Sequence, residues 1–256
     1  MPLKDIRRGL EAGEFEPFFQ PKIDFRSGAV VGAEALARWR HPQKGLLAPY
    51  AFIGAMEENG LIDALTWQIL EKSAAMARQW IGQGMDLSVS VNLSLKSLSE
   101  AGLAEHITER VAAQGLAPKH MVLEISETAA MTDLARALEN LTRLRMKGFA
   151  LLIDDYGTGH SSVQQLSRIP FSELKIDQSF VMAVREKQTN RAILASSLDM
   201  AKKLNLKAVA EGVETRAHWN LLQELGCDVA QGYFIAKPME ADELREWALE
   251  WVAPES

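Results

Sequence analysis

One cysteine, Cys227, is all that the 256 residues contain, so no intrachain disulfide can form and a cysteine-rich zinc site is excluded. Set inside ELGCDVAQG, it reads as a small buried hydrophobe rather than a nucleophile. Histidine is scarce as well. His41, His106, His120, His160 and His218 show no paired ligand spacing, which turns attention away from zinc. No apolar run approaches the roughly 18 residues of a membrane span. The opening MPLKDIRRGLEAGEFEP lacks a signal-peptide core, so a cytosolic domain is expected. Basic residues are outnumbered, 28 against 34 acidic, for a net charge of −6. That balance argues against a duplex nucleic acid partner, which wants a basic surface. A small phosphorylated ligand stays open, because bound divalent cations reverse a local field. Low-complexity tracts, long linkers and short internal repeats are also missing.

What is present is an alternation. Short β-rich runs are expected at 15–25, 29–39, 86–94, 120–126, 149–155, 172–177, 206–212 and 227–234. Between them lie amphipathic helical stretches, marked by Leu61, Leu65 and Ile69, by Leu134, Leu138 and Leu141, and by Leu221, Leu222 and Leu225. Gly84 and Gly148 stand where left-handed helix caps belong, and Pro49 and Pro118 act as breakers. Strands alternating with helices imply a mostly parallel sheet buried on both faces. Eight strand candidates in a chain of 256 residues favour an α/β fold of the TIM-like (β/α)8 barrel type as a single domain over 1–256. Only RSG separates the first two runs, too short for a helical crossover. They should form a hairpin, with one antiparallel strand near the N-terminus.

Polar residues recur at the ends of these strands. Glu34, Asn92, Glu124, Asp154 with Asp155, Lys175, Glu211 and Gln231 all fall at or near the carboxyl end of a strand candidate. In a parallel barrel those ends converge on one mouth, where active sites of this architecture sit. Any one of them alone would be a capping or solvated residue; the series is not explained that way. LLIDDYGTGHSS at 151–162 poses the sharpest question, because two adjacent carboxylates repel and resist desolvation. A turn former and a helix N-cap would account for one of them. A pair of hard divalent cations would account for both, through carboxylate and amide oxygen ligands with one aspartate bridging. GTG at 157–159 lacks the lysine of a phosphate-binding loop and reads as a flexible turn.

AEALARW, VSVNLS, LEISE, IDDYGTGHSS, LKID, AEGVET and LGCDVAQGY…KPM follow one another in an order and spacing that resemble the EAL family. The resemblance runs from FFQP at 18–21 to KPM at 237–239. It implies a bacterial phosphodiesterase that hydrolyses cyclic di-GMP to linear pGpG, with two-metal activation of water and a lysine assisting. By the same resemblance Glu34, Asn92, Glu124 and Asp154 are ligands of a first metal. Asp155, with Asp154 bridging, serves a second, and Glu211 is the remaining metal-site and catalytic glutamate. Lys175 orients or activates the attacking water, with a pKa expected to be depressed beside two cations. Gln20, Arg38 and Gln231 contact substrate, and Glu127 braces the loop after the aspartates. Mg²⁺ or Mn²⁺ is the implied ion, with Ca²⁺ bound but inhibitory.

Departures from the family pattern are few: Tyr156 for phenylalanine, His160 for tyrosine, Gly54 for proline and His218 for glutamine. None is a proposed ligand. The six tryptophans read as packing residues, with Trp39 alone placed near the site beside Arg38. A homodimer and an N-terminal sensory or receiver domain outside this chain are further expectations, and the chain reads as a trimmed output domain of a protein that could be membrane-anchored. Two alternatives stand beside the enzyme: a catalytically silent cyclic di-GMP receptor, and an unrelated barrel enzyme acting on another phosphorylated metabolite.

Overall fold

The computed structural model describes residues 1–94, 97–127, 134–156, 168–182 and 188–254. Helix α1 (Leu3–Glu11) leads into a hairpin of β1 (Phe15–Asp24) and β2 (Val30–His41), paired from Phe15↔Trp39 to Lys22↔Gly32 before the register shifts. The turn closes where Asp24 Oδ1 accepts from the Ser27 amide and hydroxyl, a local bond that competes with further ladder pairing. A three-residue strand, β3 (Gly45–Leu47), folds back on the overshooting end of β2 and was not expected from the sequence. Then come β4 (Ser88–Asn92), β5 (Met121–Ser126), β6 (Ala150–Tyr156), β7 (Glu173–Ile176), β8 (Lys207–Ala210) and β9 (Val229–Ala230).

Strand pairing runs β1-β9-β8-β7-β6-β5-β4-β2 and returns to β1, so eight strands close a barrel with β3 outside the ring. β2 and β4 to β9 are mutually parallel; β1 is antiparallel to both its neighbours, β2 and β9. The expected barrel with one reversed strand near the N-terminus is therefore the observed one. Several strands are shorter than their sequence windows. β8 and β9 stop before Glu211 and Gln231, and Glu34 lies midway along the long β2 rather than at its end.

Helices α2 (Ile53–Glu58), α3 (Ile62–Gly82), α4 (Leu103–Ala113), α5 (Leu134–Met146), α6 (Gln178–Met182), α7 (Gln188–Lys203), α8 (Arg216–Glu224) and α9 (Ala241–Glu250) cover the outside. In α3, Leu65, Ile69, Leu70, Ala74, Ala77 and Trp80 are buried, a stripe of helical period that packs on β1 and β4. Fully burying a side chain of leucine or isoleucine size contributes about 1.5–3 kcal/mol. α8 begins at Thr215, whose side chain accepts from the His218 amide. His218 is buried in that first turn, where its Nδ1 accepts from the Glu214 amide. Trp39 is fully buried against Phe15 and Phe52 and donates to Glu14, so it belongs to the packing under α1 and not to the site.

The barrel interior changes character along its axis. Val122, Leu152, Val209 and Val229 form an apolar layer contributed by β5, β6, β8 and β9. Two residues farther on stand Glu124 and Asp154 within β5 and β6, and Glu211 and Gln231 one residue past the ends of β8 and β9. Because side chains alternate with period two, each pair shares the inward face about 6.6 Å apart. An apolar floor thus passes directly into a polar layer at the carboxyl ends.

Candidate active site

Lys175 on β7 is the centre of that polar layer. It is 1% exposed, and its ammonium donates to Glu34 Oε2 (2.9 Å), Glu124 Oε2 (3.1 Å) and Asp154 Oδ2 (3.4 Å). Glu211 Oε2 lies 4.0 Å away. Glu34 collects two further donors: Asn92 Nδ2 on its Oε1 (3.1 Å) and Gln231 Nε2 on its Oε2 (2.7 Å). Gln231 Nε2 also reaches Gln20 Oε1 (3.1 Å), and Gln20 Nε2 donates to the Ala236 carbonyl. Gln231 Oε1 is buried with no hydrogen-bond partner among the described residues.

The two aspartates coexist through a bulge. Ile153 pairs with Leu174 and Tyr156 with Ile176, so Asp154 and Asp155 together oppose Lys175 alone. Asp155 takes up the extra residue at φ +56°, a left-handed conformation that aspartate tolerates. Its amide donates to Asp154 Oδ1 at 2.8 Å, which leaves Oδ2 for Lys175. Asp155 itself is exposed at the mouth. Asp177, following β7, acts electrostatically on Asp155 and was not singled out in the sequence.

Charge is unevenly distributed among these groups. Burial opposes ionisation of Glu124, but the ammonium groups of Lys175 and Lys22 outweigh it and hold this carboxyl at about 2. Asp154 moves the other way, to about 7, because burial and the acids Glu124, Glu34 and Asp155 outweigh Lys175. Burial likewise pushes Asp155 and Glu211 up. Lys175 is raised well above the ordinary lysine value; burial would lower it, but Glu124, Glu34, Asp154 and Glu211 prevail.

Of the sequence-selected residues, Glu34, Asn92, Glu124, Asp154, Lys175, Glu211, Gln20 and Gln231 meet in one network. Arg38 does not join it. It shares the face of Glu34 on β2, four residues on, half-buried with its guanidinium over Phe18 and donating to the Ala37 carbonyl. Glu127 is buried just after β5 and acts on the Tyr156 hydroxyl. The loop it was expected to brace, with the GTG turn and His160, lies outside the described residues. Asn92 is set by a tether: Ser94 and Ser97 hydroxyls both donate to Asp63 Oδ1, at 2.6 and 2.7 Å. Beside Asn92 opens a cavity of about 350 Å³, bounded by Leu36, Ile53, Leu65, Ile69 and Ser126.

Sequence reasoning missed Lys22, a buried lysine on β1 bonded to Ser90 and Glu124. The available signal was its spacing of two from Gln20, which puts both on the inward face. Apart from the Lys175 ammonium, the groups that meet at the mouth offer carboxylate and amide oxygens as ligands, chemistry that fits Mg²⁺ or Mn²⁺ rather than a soft metal. With Lys175 among them, no three His, Cys, Asp or Glu side chains converge tightly enough to hold an ion among the described residues.

Comparison with known proteins agrees with this geometry. The model of the EAL domain matches residues 3–238. The cyclic di-GMP phosphodiesterase RocR of Pseudomonas aeruginosa is 39% identical over 92% of the chain, which spans 60% of that relative's length. The bifunctional diguanylate cyclase/cyclic di-GMP phosphodiesterase MucR of the same organism is 38% identical over 94%, and the chain spans 36% of it. Among solved structures, the cyclic di-GMP complex of the PaMucR phosphodiesterase superposes with a TM-score of 0.91 at 38% identity, covering 94% of this chain and 98% of that one. A closed barrel, an ordered motif series and a site assembled from those same motifs converge with these matches: the chain belongs to the EAL domain family.

Proposed function

We propose that this chain is a cyclic di-GMP phosphodiesterase that opens the cyclic dinucleotide to linear pGpG, using Mg²⁺ or Mn²⁺. The observation that carries the reading is the assembly of Glu34, Asn92, Glu124, Asp154 and Glu211 around Lys175 at the barrel mouth. Glu34, Asn92, Glu124 and Asp154 would hold one ion; Asp155 with Asp154 would serve a second, and Glu211 would be the remaining metal-site and catalytic glutamate. Bound there, the ions would neutralise charge on the phosphodiester and make water acidic near neutral pH.

The chain's own groups do the rest. Lys175, held among Glu34, Glu124, Asp154 and Glu211, is placed to orient the attacking oxygen by donating a hydrogen bond. Arg38 offers a planar donor fork to a phosphate at the rim. By family resemblance Gln20 and Gln231 supply polar contacts to substrate, and the cavity beside Asn92 presents an apolar wall suited to a base. Glu127 is assigned to bracing the segment after Asp155, and Ca²⁺ to inhibition. A homodimer, a cytoplasmic setting and an N-terminal sensory or receiver domain belong to the same reading through family resemblance. No helix among the described residues is long and apolar enough to cross a membrane.

The test is hydrolysis of cyclic di-GMP by the purified chain with Mg²⁺ or Mn²⁺, then with excess chelator. Metal-dependent release of linear pGpG is the expected result. Binding without turnover in either metal would replace the enzyme by a receptor.

A further inference from the structure

Lys22 takes no part in the function argued above, yet it is one of the most deeply placed charges in the molecule. It is 4% exposed, and Glu124 is 0% exposed. Lys22 pairs with Gly32 where Gln20 pairs with Glu34, so it sits one two-residue step deeper in the barrel than the Glu34 level. From there its ammonium donates to Ser90 Oγ at 2.6 Å and to Glu124 Oε1 at 2.7 Å. The other oxygen, Oε2, turns to Lys175 and the group around it. The two oxygens of Glu124 are therefore divided: one is anchored toward the interior and one is presented to the mouth.

We propose that Lys22 sets the metal selectivity of the site by keeping Glu124 a one-oxygen donor. The proposal rests on the reading of Glu124 as a metal ligand. Magnesium and manganese suit compact six-coordinate oxygen sets, whereas calcium takes six to eight oxygens at longer distance and often uses both oxygens of a carboxylate. Holding Oε1 against β1 and β4 denies calcium that second oxygen. A merely structural lysine would satisfy buried charge without changing which ion is preferred.

The test must separate geometry from charge. Replacing Lys22 by methionine removes a positive charge, which strengthens binding of every divalent cation alike. That contribution cancels in the ratio of Ca²⁺ to Mg²⁺ affinity, and the ratio isolates the carboxylate's freedom to turn. We would measure both affinities by calorimetry on the wild-type chain, Lys22→Met, Glu124→Gln and the double variant. The double variant removes both charges together, so it leaves no unpaired buried carboxylate if the single variant fails to fold. Lys22→Met should raise the Ca²⁺:Mg²⁺ affinity ratio by about 10-fold, within the range that outer-shell partners of metal ligands command. In the Glu124→Gln background, Lys22→Met should leave the ratio unchanged. A wild-type ratio in Lys22→Met, or an equal shift in both backgrounds, would overturn the proposal. Failure of the wild-type chain itself to bind Mg²⁺ would instead overturn the metal-site reading, and this inference with it.

Discussion

The ammonium of Lys175 donates to Glu34 Oε2 over 2.9 Å, joining residues 141 positions apart in the chain. Neither group is in contact with bulk water, and each would be strongly disfavoured in this interior without the other. The pair is the point at which the barrel's fold and its chemistry meet.

Lys175→Ala should reduce turnover of cyclic di-GMP by about 10²–10³-fold, the contribution of one positioned hydrogen-bond donor to the reacting oxygen. Substrate affinity, measured by calorimetry with Ca²⁺ present, should stay within a few-fold. An unchanged rate would remove Lys175 from the mechanism.

Asp63→Ala cuts the tether that fixes Ser94 and Ser97, two and five residues past Asn92. Activity should fall on the order of 10-fold, through displacement of Asn92. Asp63→Asn keeps an acceptor of the same shape and should recover most of it. Equal losses in the two variants would mean that the charge of Asp63, and not its hydrogen bonds, matters.

Gly232→Ala places a methyl group 2.3 Å from the backbone nitrogen and oxygen of Val213, a contact that backbone cannot relieve without moving. The neighbouring Gln231 amide and carbonyl bond Ala210 and Val213. Chemical denaturation should show a loss of about 2 kcal/mol or more, with activity falling as Gln231 shifts. A variant as stable as the parent would show that this turn is pliant.

Tyr156→Phe removes a hydroxyl whose acceptor is the sulfur of Met200 at 3.2 Å. Thioether sulfur is a weak acceptor, so stability should change by less than about 1 kcal/mol. A larger loss in thermal unfolding would give the tyrosine a role in the segment that follows it.

Cys227 is buried, its thiol donating to the carbonyls of Val229 and Ala208. Burial pushes its pKa up from 9.0 to about 12. A raised folded-state value favours folding below the unfolded value and is lost as pH climbs through the folded one. Cys227 should therefore contribute nothing pH-dependent between pH 6 and 8, and cost stability increasingly above about pH 9. Thiol labelling at pH 8 should require unfolding; rapid labelling of the native chain would contradict the burial.

Local chemistry was enough to expect much of this. Alternation of strands and helices, the short RSG connection and the inward step from Val122 to Glu124 or Val209 to Glu211 follow from periodicity, which a sequence displays directly. Resemblance of the motif series to the EAL family, and not periodicity, brought Gln20, Arg38 and Glu127 into view as well. Other features depend on what lies across the barrel. The bulge that lets Asp154 and Asp155 share one partner arises from the pairing of β6 with β7, and no single segment encodes it. Trp39 sits next to Arg38 in sequence but faces the opposite side of β2. Lys22 lies 102 residues from Glu124 and looks like any strand lysine until the ring closes. Periodicity reports which face a side chain takes; closure of the barrel decides which charges that face confronts. Charge energies depend on distance and burial, so the opposite shifts of Glu124 and Asp154 arise from that closure and not from either segment alone.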